Sequence, residues 1–244
     1  MQKDFITVTP DSGNGNATIT VAASENQTEN SRTSKITIAG GGISRTVNVN
    51  QSKGVVTWEY TFTVSKSSLS YNVGGGTQSV TITSTKQKKI NGKNSGSPIS
   101  VQYSRSNSGT GVSGSGTNIT MSRNSSTSSR SGSVKFTQNE SGKTITVSLS
   151  QSAATKNVIT CKVGVQTGVM HYTLIAQYAV KSKISITYIS NASSSANRTV
   201  VLEKGETSVN DIWQVGSTIF YDTVQLSVNY ESNDNYVYEA KKGW

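Results

Sequence analysis

The chain has 244 residues, of which 41 are Ser, 31 Thr, 20 Asn and 22 Gly, while hydrophobic residues make up only 32%. Ser, Thr and Asn compete with helical hydrogen bonds and Gly costs backbone entropy, so this composition excludes long amphipathic helices and suits short strands between polar turns. The formal net charge of +10 is concentrated in residues 55–156, where eleven Lys/Arg face two Asp/Glu, whereas residues 1–54 and 157–244 are close to neutral. That distribution marks one basic surface.

A single cysteine, Cys161, and a single histidine, His171, exclude a disulfide framework and a Cys- or His-rich metal site. Two prolines exclude a proline-rich stalk or collagen. The stretch from Met1 to Pro10 lacks the apolar core of a cleavable secretory signal. No apolar run approaches the roughly 20 residues that span a bilayer. A soluble chain without a signal peptide or membrane partner is expected.

In chain order, the first feature is an internal repeat. Residues 16–51 align with residues 116–151. Ile19 and Val21 match Ile119 and Met121, Arg32 matches Arg130, and Ile36 and Ile38 match Val134 and Phe136. Val47, Val49 and Gln51 match Ile145, Val147 and Leu149–Gln151 in the same order. Apolar residues at every second position predict strands with one buried face. Between the copies, Trp58, Tyr60, Phe62 and Val64 alternate with polar residues. Gly74–Gly76 separates a strand predicted at 69–73 from one at 79–83, and residues 99–103 supply another. The second unit therefore holds six or seven strands over 57–152, the size of a sandwich.

The GGG turn with its valine-rich strand, the N/T-I-T strand, the R-x-x-x-I/V strand and the closing V-x-V/L-x-Q together resemble the BACON domain. The resemblance covers residues 58–152 in full and, in residues 1–53, the back half of a domain. It implies immunoglobulin-like β-sandwiches of the kind found in Bacteroidetes and their phages, and a carbohydrate-binding role.

The first unit begins its matching strand at Ile19, with far less chain upstream than the second unit has. Half a sandwich leaves its inner face and edges open. Three explanations stand: a piece of a longer chain, a reduced sheet that packs on its neighbour, or a sheet completed by a strand from another subunit. Residues 157–244 hold 10 of the 17 aromatics. There, Tyr172, Leu174, Ala176, Tyr178 and Val180 share one face, and residues 199–208 read as a strand, a glycine turn and a polar edge. This predicts a third β-domain.

Catalysis finds little support. His171 reads as a strand-edge histidine with no Gly-x-Ser-x-Gly turn in the chain, and Cys161 as a buried thiol. Glu203, Glu206, Asp222 and Asp234 read as turn residues instead of paired glycosidase carboxylates, and Ser232–Asn235 as a solvated turn instead of a calcium loop. Gly74–Gly76 lacks a P-loop signature and reads as a positive-φ turn. The best candidate is residues 84–97, read as a basic loop in which Lys86, Lys88, Lys89 and Lys93 meet no acid within the segment. Lysines alone offer salt-sensitive attraction to anionic surfaces and no specific nucleic-acid readout. Arg105, Arg123 and Arg130 add charge elsewhere in that unit. Trp244, after Lys241–Lys242, is a candidate subunit anchor.

The expectation is an all-β protein of tandem immunoglobulin-like β-sandwich domains with a C-terminal β-sandwich. Its domains are 1–54 (a partial BACON-like unit), 55–156 (a complete one) and 157–244. It is expected to be a non-enzyme without cofactor or metal, a bacteriophage virion structural protein: a head fibre or capsid decoration, made in the host cytoplasm and displayed on the virion surface. Its expected partners are other virion proteins (capsid or fibre subunits), further copies of itself, and host or mucin glycans. The alternative is a carbohydrate-binding or adhesion module of a Bacteroidetes surface protein.

Overall fold

The computed structural model describes residues 2–3, 5–166, 169–178, 181–189, 195–214, 224–229 and 236–243. Among them the chain is all-β and holds no helix, so none is long and apolar enough to cross a membrane. Tandem β-sandwich modules account for the whole pattern of open sheets.

The first repeat contains β1 (Gln2–Lys3), β2 (Ile6–Thr9), β3 (Thr20–Ala23), β4 (Arg32–Gly40) and β5 (Ile43–Gln51). They form a three-stranded sheet, β1-β2-β3, and a two-stranded β4-β5 hairpin. Phe5, Ile6 and Ile36 make a small core with Val8 and Val49 against it.

The middle of the chain contains β6 (Val56–Val64), β7 (Ser68–Tyr71), β8 (Gly76–Ser79), β9 (Ile82–Ile90), β10 (Lys93–Asn94), β11 (Ile99–Ser100), β12 (Tyr103–Ser108), β13 (Val112–Ser113), β14 (Asn118–Met121), β15 (Arg130–Gln138) and β16 (Thr144–Gln151). Its sheets run β12-β15-β16-β7, β13-β14-β8 and β10-β9-β11, with β6 also pairing β9. The strand predicted at 79–83 is in fact broken. Val80 is buried and its N–H donates to Thr117 O, while Ser65 and Thr81 bond each other, so the chain changes sheet between β8 and β9. The alternation in β6 also buries its residues unevenly: Phe62 is buried, whereas Trp58 is exposed. Gly75 and Gly76 take positive φ in the turn between β7 and β8. A Cβ on Gly75 would lie 2.2 Å from Met121 O, so the turn demands glycine on both counts.

The C-terminal part of the chain contains β17 (Thr155–Gln166), β18 (Val169–Ala176), β19 (Ser182–Ile189), β20 (Ser195–Leu202), β21 (Ser208–Gln214), β22 (Val224–Asn229) and β23 (Tyr236–Gly243). Sheets β21-β18-β17-β23 and β20-β19-β22 share one core of Ile159, Cys161, Tyr172, Leu174, Ala176, Ile184, Ile186 and Leu202. The predicted inward face of β18 holds through Tyr172, Leu174 and Ala176. Tyr178 lies beyond the strand and is exposed, and Val180 lies outside the described residues.

The chain divides into two compact units. One comprises Met1–Thr63, Ile82–Ser104 and Thr137–Ile145; the other Val64–Thr81, Arg105–Phe136 and Thr146–Trp244.

Each repeat is tied by the same polar knot. Arg32 Nε donates to Gln51 Oε1 at 2.8 Å and its Nη2 to Ser24 O at 2.6 Å, while Gln51 Nε2 also donates to Ser24 O, at 2.9 Å. In the second repeat, Arg130 Nε donates to Gln151 Oε1 at 2.7 Å, its Nη2 to Ser122 O at 2.6 Å, and Gln151 Nε2 to Ser122 O at 2.9 Å. Beside each knot a buried asparagine clamps a turn. Asn26 Nδ2 donates to Asn30 O and Ser52 O; Asn124 Nδ2 donates to Ser128 O and Ser152 O. These bonds correct the repeat alignment. Ser24 answers to Ser122 and Gln51 to Gln151, so Val21 answers to Ile119, and Val47 and Val49 to Val147 and Leu149. Matching by apolar letters alone slips by two residues at both strands.

Removing a buried amide that satisfies two carbonyls leaves both unpaired, at about 1–3 kcal/mol. Asn124→Ala is expected to lose roughly that stability in chemical denaturation, whereas Asn124→Asp, which keeps the acceptor for Ser126 N–H but not the donors, loses a comparable amount.

Candidate functional site

The basic segment is a β-hairpin, not a loop. Lys86, Lys88 and Lys89 lie on β9 and Lys93 opens β10, with Lys93 opposite Ile90 and Asn94 opposite Lys89. The turn is Asn91–Gly92, with φ of 48° and 81°. Two successive positive φ values match the right-handed twist of a hairpin, and Asn-Gly is the residue pair that tolerates them. The Asn-Gly pair was the available sequence signal; the lysine density around it made the stretch look irregular.

All four lysines face carboxylates supplied by other parts of the chain. Lys86 Nζ lies 2.7 Å from Glu140, Lys89 Nζ 2.8 Å from Glu59, Lys93 Nζ 3.0 Å from Glu25, and Lys88 pairs with Glu29. Lys86 also sits 4.9 Å from the ring centroid of Trp58, in cation–π contact. Tyr60 Oη donates to Glu140 at 3.2 Å. The hydrogen bond that Lys86 donates to Glu140 holds the carboxyl below its ordinary value and raises the ammonium above its own; burial opposes both.

The hairpin tip is fastened to the first repeat. Asn91 Nδ2 donates to Asn26 O at 3.0 Å, Val55 N–H donates to Asn91 Oδ1 at 2.8 Å, and Asn91 N–H donates to Val55 O at 2.9 Å. Gly54 sits beneath: a Cβ there would lie 2.4 Å from Ile90 Cγ2 and 2.5 Å from Asn26 O. Lys88 and Lys93 reach Glu29 and Glu25 in the same turn. The segment is therefore a charged latch within one compact unit, its ammonium groups already matched.

The arginines are similarly engaged with backbone. Arg105 donates to Ser113 O, Gly116 O and Asn118 O at 2.7–3.0 Å. Arg123 donates to Tyr236 O, and Arg130 belongs to the knot.

The remaining candidates are dispersed. His171 stands on β18, an interior strand opposite Gly164 and Ile212, with its side chain exposed. This corrects its placement at a strand edge; β21 covers that side. Cys161 is fully buried, and burial pushes its thiol up to about 11, so it stays protonated and unreactive at neutral pH. Glu203 and Glu206 form a turn, with Glu203 N–H donating to Glu206 and Lys181 beside Glu203. No group of three or more His, Cys, Asp or Glu placed to hold a metal occurs among the described residues. Trp244, Asp222, Asp234 and the tract 232–235 lie outside the described residues.

Residues 2–52 and 99–152 match the family model described as "BACON: Putative binding domain, N-terminal". The chain carries two BACON segments. Each matched BACON segment spans one polar knot, with β1–β5 in the first and β11–β16 in the second. The lysine hairpin lies between them, at residues the BACON model does not cover. No curated protein matches the chain.

Two outcomes follow from the latch. Glu25→Gln with Glu29→Gln frees Lys88 and Lys93 and is expected to elute from heparin at higher salt than the parent chain, a shift that salt titration reads directly. Glu25, Glu59 and Glu140 all have carboxyls held below the ordinary glutamate value, chiefly by hydrogen bonds from Lys93, Lys89 and Lys86. Depressed folded-state values contribute stability above the unfolded value and lose it as pH falls through the folded one. The melting temperature should therefore be level above about pH 5 and fall below about pH 4, with a shallower fall in Glu140→Gln.

Proposed function

We propose that the protein is a virion structural protein, a head fibre or capsid decoration, and not an enzyme. It is made in the host cytoplasm and displayed on the particle surface. In this reading the chain is organised as 1–54, 55–156 and 157–244. What supports the reading most is that two segments of binding-domain type occur in one chain, while the first leaves apolar sheet residues open that the second buries. A subunit of a larger assembly is where such a surface finds cover. The nearest chemistry-bearing side chains, the basic hairpin, serve an internal latch, which fits a structural component better than a catalyst.

The test is immunogold labelling of purified particles with antibody against the third domain, together with mass spectrometry of their proteins. Gold on the particle exterior is the expected result. Absence from particles, with label on the bacterial envelope, would overturn it.

A second reading, a glycan-adhesion module, is favoured by one observation. The rings of Tyr178 and Tyr236 lie 5.4 Å apart at 48°, with Tyr178 exposed and Tyr236 half-buried. Paired aromatic faces can stack the apolar face of a sugar. If this pair binds glycan, Tyr178→Ala lowers retention on mucin glycans about tenfold with the fold intact by circular dichroism. Unchanged retention would remove this reading.

A further inference from the structure

The two repeats hand the chain on in the same way. In each, the buried asparagine bonds the carbonyl that follows the knot glutamine: Asn26 Nδ2 donates to Ser52 O and Asn124 Nδ2 to Ser152 O, both at 2.9 Å. Two residues later the chain is held again. Gly54 N–H donates to Thr28 O and Ala154 N–H to Ser126 O, each at 2.8 Å. The accepting residue stands two places after the asparagine in both repeats, and its own N–H donates to the asparagine Oδ1 at 3.1 Å. Gly54 and Ala154 are both buried, and a long strand starts almost at once, β6 at Val56 and β17 at Thr155.

A second attachment reaches the same turn beside that strand. After the first repeat it is made by Asn91, whose N–H donates to Val55 O and whose Nδ2 donates to Asn26 O. After the second it is made by Arg123, which precedes Asn124 and donates from Nη2 to Tyr236 O at 2.5 Å. Tyr236 on β23 is the register partner of Thr155 on β17. The donors run in opposite directions, from the following strands to the turn in one case and from the turn to the following strands in the other. The attachment points are the same: the departing backbone and the strand beside it. Glu25 and Glu29, which add ion pairs at the first turn, are exposed, and exposed pairs contribute little. Linkers between domains ordinarily permit relative motion. Here residues 52–54 and 152–154, where a swivel would sit, are fixed at both ends.

We infer that the asparagine turn of each repeat is a docking surface for the strands that follow it in the chain, and that it holds the repeat and those strands as one body. The partner it takes is the start of a β-sheet. That sheet supplies a departing N–H for the carbonyl two residues after the asparagine, and a hydrogen-bonding group on the adjacent strand for the turn itself. The first joint is the tighter. A Cβ on Gly54 would meet Ile90 Cγ2 at 2.4 Å and Asn26 O at 2.5 Å, so only glycine lets β9 and the turn close around the departing chain, whereas the second joint accommodates Ala154. The asparagine therefore serves twice, closing its own turn and presenting that turn to what comes next. This coupling is independent of where the protein is displayed.

The experiment measures residual dipolar couplings of the isotopically labelled full chain, weakly aligned in solution. One alignment tensor is expected to fit residues 5–51 together with β6 and β9, and one to fit residues 118–136 together with β17 and β23. Asn91→Gly combined with Gly54→Ala uncouples the first joint: glycine keeps the positive φ of the hairpin turn, both side-chain bonds are lost, and the added methyl wedges the contact. This variant should need separate tensors, with the order of the first repeat lowered about twofold, while the amide signals of both parts stay dispersed. Arg123→Met should act likewise at the second joint, and it decides the matter if the first variant loses its fold. The inference is overturned if the parent chain needs separate tensors across either joint, or if a folded variant keeps a single tensor of undiminished order. Salt at about 1 M, which screens exposed charges within about 3 Å, should leave the parent's single tensors intact. Separation by salt alone would assign the coupling to the ion pairs of Glu25 and Glu29 and would also overturn it.

Discussion

An arginine fork closed by a glutamine amide and a serine carbonyl is the constraint on which each BACON segment is built. It joins three points far apart in sequence: the end of one strand, the start of a hairpin and the end of that hairpin. In the second repeat these are Ser122, Arg130 and Gln151. A chain with so few large apolar residues cannot fix strand register by core packing alone. Charge-assisted bonds with defined geometry do that work, and because the side chains of Arg32, Gln51, Arg130 and Gln151 are buried or half-buried, their donors and acceptors are more costly to leave unpaired than they are rewarding to pair. The neighbouring buried asparagine extends the same logic to the turn, its amide donating to two carbonyls at once.

Given identical knots, the repeats differ in what covers their apolar faces. The second places Phe136, Val147 and Ile119 in a dry interior; the first leaves Ile38, Val47 and Val21 wet. Stability should therefore be graded along the chain. Elements with exposed backbone bonds and few buried contacts open first, and β3 and β5 fit that description. The lysine hairpin supports the first repeat at one turn, tying Asn91, Lys88 and Lys93 to residues 25–29. The four lysines concentrated in the hairpin are thus matched charges in the fold.

Much of this was legible beforehand. Period-two alternation identified the strands of β4, β5, β15, β16 and β18, and Arg32/Arg130 with Gln51/Gln151 stood out as paired positions. The glycine turn at 74–76 followed from residue type. What escaped was contextual. Asn26 and Asn124 are single polar letters in polar stretches, and only tertiary burial distinguishes them. The lysines of β9 masked a strand because a paired ammonium and a solvated one look the same in sequence; the four glutamates that face them are scattered from Glu25 to Glu140. The two-residue slip in the repeat alignment arose because apolar letters recur every second residue, so a shift of two preserves the pattern and only the arginine bonds fix the register.

The central claim is that one polar knot supports two repeats of which only the second is covered. Native-state amide exchange on the full chain measures this directly. The account predicts that amides of residues 46–51 exchange at least about tenfold faster than those of residues 146–151. Equal protection of the two hairpins in a monomeric chain would contradict it.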